Sequence, residues 1–131
     1  MNAVHSENNE AYIEYTKRNM ETGFVICKIP DYMTGGVRNY IFKGIPMGGF
    51  LTAVFENNFQ DVCAGADDVN SKILRNWAEF IYNYVPSGCW GSQKRVRAWL
   101  KASAESAMRI ANTPTNEKFK YPTSSHLEDL K

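Results

Sequence analysis

Apolar positions recur along much of this chain at steps of three and four, the spacing that puts side chains on one stripe of an α-helix. Tyr12, Ile13, Tyr15 and Met20 predict a short helix from about residue 9, stopped by Gly23, with residues 1–8 disordered. Val37, Tyr40 and Ile41 predict a second helix, with Gly44 placed to end it in a left-handed conformation that costs glycine little. Met47, Phe50, Leu51, Val54 and Phe55 form the next stripe, and Pro46 suits its first turn. After an Asn57-Asn58 turn, Phe59, Val62, Cys63 and Ala66 predict another short helix. Asp67 or Asp68 is then an N-cap for a stripe running Val69, Ile73, Trp77, Phe80, Ile81 and Tyr84, closed by Pro86. Ser92 caps a last helix whose apolar face carries Val96, Trp99, Leu100, Ser103, Ala107 and Ile110.

Two segments break the helical pattern. Residues 24–29 (FVICKI) are β-prone and bounded by Pro30, which predicts either an edge strand or an extended segment over the core. Met33-Thr34-Gly35-Gly36 reads as a linker. The expected architecture is therefore mainly α: a bundle of four to five short helices with a short N-terminal β segment. Residues 1–36 form an N-terminal extension, 37–111 the helical core, and 112–131 a flexible tail rich in Thr, Pro, Asn, Lys and Ser.

A length of 131 residues suits one domain, and 44% apolar content with 13% aromatics is enough for a packed interior. The three cysteines, Cys27, Cys63 and Cys89, are odd in number and form no CxxC, which predicts reduced thiols in a cytoplasmic protein. The polar start lacks the apolar run of a secretory leader, and residues 41–55 are too short and too interrupted to cross a bilayer.

The residue types also narrow the chemistry. His5 and His126 lie far from the cysteines, so neither a zinc site nor a Cys–His nucleophile is assembled in sequence. Asp67-Asp68 already has a capping role, and Glu56, Asp61 and Glu79 carry no acid–base signature. No cofactor, metal or catalytic residue is expected, and the chain is read as non-enzymatic.

Charge is more informative in its distribution than in its total. The net charge is +1, but residues 87–111 sum to +4 and the remainder to −3. Lys94, Arg95 and Arg97 occupy the start of a helix, where the dipole is already positive, directly after the loop Ser87-Gly88-Cys89-Trp90-Gly91 and the cap Ser92. Donors, dipole and cations together outline an anion site at Ser92, Lys94, Arg95 and Arg97, against the plainer reading of a solvated basic face. Trp90 is either a plug at the end of the core or an exposed recognition aromatic. Gly48 and Gly49 are costly inside a helix, which points either to close helix approach or to a ligand on exposed backbone.

Two stretches carry a resemblance. They are Tyr40-Ile41-x-x-Gly44-Ile45-Pro46-x-Gly48-x-Phe50-Leu51-Thr52-Ala53-Val54-x-x-Asn57 and Tyr82-Asn83-x-x-Pro86-x-x-Cys89-Trp90-Gly91-Ser92, with Trp99 beyond. Over residues 37–101 the chain resembles a family of small proteins common in phage and prophage genomes. It departs from the family's pattern at Met47-Gly48, Asn57-Asn58 and Gly65-Ala66-Asp67. The resemblance implies a setting rather than a reaction: an accessory protein that binds host machinery, an anti-defence inhibitor among the roles. The partner would be a host protein or protein–nucleic acid complex, or a phosphate-bearing ligand, met by a monomer or homo-oligomer without membrane attachment. The alternative is a helical protein that binds and sequesters a small molecule or nucleotide.

Overall fold

The structure is a computed structural model that describes the backbone of residues 2–111 and the side chains of residues 10–106. Seven α-helices are present among the described residues: α1 (Asn2–Ile26), α2 (Asp31–Lys43), α3 (Gly49–Glu56), α4 (Phe59–Gly65), α5 (Asp68–Ser71), α6 (Leu74–Tyr84) and α7 (Gln93–Ala111). A single 3-10 turn, Ser87–Cys89, links α6 to α7. The mainly helical class is as expected, but the helices are more numerous and the first is much longer than its local pattern suggests. The expected tail, residues 112–131, lies outside the described residues.

Most corrections concern the N-terminal third. Helix α1 begins at Asn2, so residues 2–8 belong to it rather than to a disordered lead. It does not stop at Gly23. A Cβ there would stand 2.5 Å from Cγ of Tyr84, so glycine serves the close approach of α1 to α6 instead of ending a helix. No strand forms at residues 24–29: Phe24 to Ile26 complete α1, and the chain then reverses through Lys28 at φ 56°. The Ile29 amide bonds back to the Phe24 carbonyl at 2.9 Å, closing the helix in a Schellman-type end. Phe24, Cys27 and Ile29 are buried while Val25 and Ile26 face solvent, a distribution no flat strand would produce. The expected linker at residues 33–36 lies within α2, which begins after Pro30 and carries Asp31 in its first turn.

The remaining ends follow residue chemistry. Gly44 terminates α2 at φ 68°, and its amide reaches back to the Tyr40 carbonyl. The same glycine has a second duty, since a Cβ would lie 2.4 Å from the Ala104 amide nitrogen of α7. Asn57 ends α3 at φ 62°, and the Asn58 side chain caps α4 through the Asp61 amide at 3.3 Å. Helix α3 starts at Gly49, not at Pro46, which lies in the connection after Gly44. Neither Gly48 nor Gly49 has a neighbour within 4 Å of a would-be Cβ, so close helix packing does not account for them. The expected single helix from Val69 to Tyr84 is two, α5 and α6, with Asn70 turned inward and Val69 outward.

One core joins all of this. Met20 and Phe24 of α1, Val37, Tyr40 and Ile41 of α2, Phe55 of α3, Trp77 and Phe80 of α6, and Val96 and Trp99 of α7 pack in a single cluster. Phe24 and Phe80 stack at 5.0 Å, and Tyr40 meets Phe55 edge-on at 5.1 Å. Helix α7 is held to α2 by two donors on one acceptor: Trp99 Nε1 and Ser103 Oγ reach the Ile41 carbonyl at 3.1 and 3.2 Å. Arg38 ties α2 to α1 through a 2.7 Å ion pair with Glu21 while its guanidinium lies over the Phe24 ring. Among the described residues no helix is long and apolar enough to cross a membrane.

Candidate functional site

The loop between α6 and α7 is fixed before it presents anything. Pro86 precedes the 3-10 turn, and the Cys89 carbonyl accepts a 2.6 Å hydrogen bond from the buried Tyr40 phenol. Two residues on, the Gly91 amide donates to the Phe55 carbonyl at 2.8 Å, and Gly91 takes φ 121°, a conformation closed to most side chains. Between these anchors stands Trp90, half-buried, with its ring edge-on to Tyr82 at 6.4 Å.

Trp90 is one wall of an open apolar cleft of about 600 Å³. Trp77 and Ile81 of α6 are its buried components. Val54 of α3 and Val62 of α4 add aliphatic surface. Phe59 and Tyr82 stand at the solvent side, 70% and 75% exposed, values that matter because rings of this size normally cover themselves. The Trp77 indole is held by a polar chain: its Nε1 donates to Asn70 Oδ1 at 2.7 Å, and Asn70 Nδ2 donates to Asp67 Oδ1 at 3.1 Å. Tyr32 closes that chain by donating to Asp67 Oδ2 at 2.6 Å. Tyr32 first, then the Asn70 amide, hold the Asp67 carboxyl below the usual carboxylate range.

Among the described residues one cation lines the cleft, Arg75, in the first turn of α6, a helix start without a side-chain cap. No described Asp or Glu lines it. A cavity of this volume, mostly apolar with few polar groups, falls in the range of roughly 300–1,000 Å³ typical of sites for small organic ligands.

The residues expected from sequence are placed unevenly. Trp90 is half-buried: it packs against the core cluster and also lines the cleft. Ser92 does cap α7, its hydroxyl accepting from the Arg95 amide at 3.1 Å. Lys94, Arg95 and Arg97 are exposed on the first turns of α7, and no described carboxylate forms an ion pair with them. Arg95 turns back, donating from Nη1 to the Ser87 carbonyl at 3.3 Å. Gly48 and Gly49 are exposed at the start of α3 and do not line the cleft. Cys89 is fully buried, which pushes its thiol well above the ordinary value.

Phe59, Arg75 and Tyr82 are not read as site residues from the sequence. Their signal was present: Tyr82 sits off the apolar stripe of α6, and Phe59 opens a helix among polar neighbours. A large aromatic on a polar face is informative when it has no core to join.

Comparison with known proteins finds no matching family model, no similar curated protein and no similar solved structure.

Proposed function

We propose that this chain is a non-enzymatic binding protein whose ligand is a small organic molecule held in the cleft between α3, α4, α6 and Trp90. The observation that carries this reading is the pairing of a 600 Å³ apolar cavity with two mostly exposed aromatics, Phe59 and Tyr82, at its solvent side. Leaving such rings in water forgoes apolar burial worth about 25 cal/mol per Å², a cost that an occupant would recover. The loop that carries Trp90 is tied to the core at both Cys89 and Gly91, so one wall of the cavity is formed in advance.

Ala78 offers a test, because it lines the cleft yet is exposed and outside the core. Native mass spectrometry after incubation with a cellular metabolite extract is expected to show a bound mass on the wild type and none on Ala78→Trp. Identical spectra from the two proteins would sink the reading.

A second reading rests on a different surface. Lys94 and Arg97 are exposed at the start of α7 without an ion-pair partner among the described residues. With the resemblance of residues 37–101 to small phage proteins, this supports an accessory protein that docks on acidic host machinery, such as an anti-defence inhibitor. Capture of a host protein that survives Ala78→Trp but is lost on reversing Lys94 and Arg97 to Glu is the expected result. Capture indifferent to those two charges counts against it.

A further inference from the structure

The cleft is lined mostly by apolar side chains, and among the described residues Arg75 is the one charged group that lines it. Resting on the reading of the cleft as a ligand site, we infer that its ligand is a small organic acid: an aromatic or branched apolar body with one anionic group directed at Arg75. The body lies against Trp77, Tyr82 and Trp90, whose ring faces and edges suit flat or branched hydrocarbon. The anionic group meets the guanidinium of Arg75, the only charged side chain lining the cavity among the described residues.

Three observations give the cleft this polarity. Among the described residues no carboxylate lines it, so an entering anion meets no like charge from them. Glu79, one helical turn beyond Arg75, does not line the cavity and makes no ion pair with it, which leaves the guanidinium available. Leu74 and Arg75, the first two residues of α6, both line the cleft, and no side chain caps that helix start, so the dipole adds positive potential on the same side. A neutral ligand would gain only from the walls, and a cation would be repelled from the Arg75 end.

Two fluorescent probes of closely related shape separate the terms: anilinonaphthalene sulfonate, an anion, and phenylnaphthylamine, which is uncharged. Both are expected to bind the wild type with enhanced emission, and both are expected to be lost on Ala78→Trp. Arg75→Gln is expected to weaken the anionic probe by up to about fivefold, the upper end for a solvent-exposed ion pair, and to leave the neutral probe unchanged. If Arg75→Gln affects neither probe, or both equally, the anion inference is overturned while the cleft keeps its ligand role. If neither probe binds, or if Ala78→Trp changes nothing, both the inference and the reading beneath it fall.

Discussion

The phenol of Tyr40 donates a 2.6 Å hydrogen bond to the carbonyl of Cys89, 49 positions further along the chain and in the interior of the fold. Burial, with the Cys89 thiol and Glu56 nearby, pushes the Tyr40 hydroxyl far above its ordinary pKa, so it stays protonated and remains a donor. Through this bond Tyr40, on the buried face of α2, sets the position of the loop that carries Trp90. The geometry of the surface cleft is thus inherited from the core.

Removing that donor tests the connection. Tyr40→Phe keeps the ring against Phe55 but leaves the Cys89 carbonyl buried without its partner, at a cost of about 1–3 kcal/mol. Urea unfolding should report the loss, and weaker binding of the neutral probe should report a displaced Trp90. Unchanged stability would mean that water or another donor satisfies the carbonyl.

Glycines 44 and 49 are expected to respond in opposite directions. Gly44→Ala meets a left-handed backbone, worth about 1–2 kcal/mol, and a Cβ 2.4 Å from the Ala104 amide nitrogen besides. It should be among the most damaging single changes in the protein. Gly49→Ala enters open space in the first turn of α3 and should stabilise by about 0.4–1 kcal/mol, because it removes freedom from the unfolded chain. Thermal melts of the two variants provide the comparison, and a stable Gly44→Ala would show that α2 and α7 can separate without loss.

The three thiols should separate by access. Cys63 is exposed, whereas Cys27 and Cys89 are buried with their pKa values raised by desolvation. Titration of the native protein with a disulfide reagent should modify Cys63 promptly, and the other two only after denaturant is added. Rapid modification of Cys89 in the native state would contradict its place beneath the Trp90 loop.

Protonation of Asp67 should loosen the support of Trp77. Because Tyr32 and the Asn70 amide lower its folded pKa, the carboxylate stabilises the fold above the unfolded pKa, and that contribution disappears as pH falls through the lower folded value. Tyr32→Phe removes the largest cause, so the Asp67 carboxyl should titrate closer to the usual range in a carbon-detected NMR titration. The pH dependence of stability below about pH 5, down through the lowered folded value, should flatten with it. An Asp67 titration unaltered by Tyr32→Phe would assign the shift to the helix cap alone.

Local chemistry in the sequence determined much of this protein: the helical class, the left-handed end at Gly44, the Asn57-Asn58 turn, the Asp67 and Ser92 caps, and the burial of Trp77 and Trp99. Each depends on residues within about one helical turn of one another, so spacing and side-chain type suffice. Tertiary structure decided the rest. FVICKI reads as a strand by composition, yet Phe24 is buried in the last turn of α1 and Cys27 and Ile29 are buried just after it, a placement tied to the stack of Phe24 on Phe80, more than fifty residues away. Gly23 reads as a stop until Tyr84 is placed against it. The cleft is the extreme case, a space left among Val54, Phe59, Arg75, Tyr82 and Trp90, residues that no local pattern relates. A cavity is a failure of distant surfaces to meet, and only the packing of the whole chain determines where that failure falls.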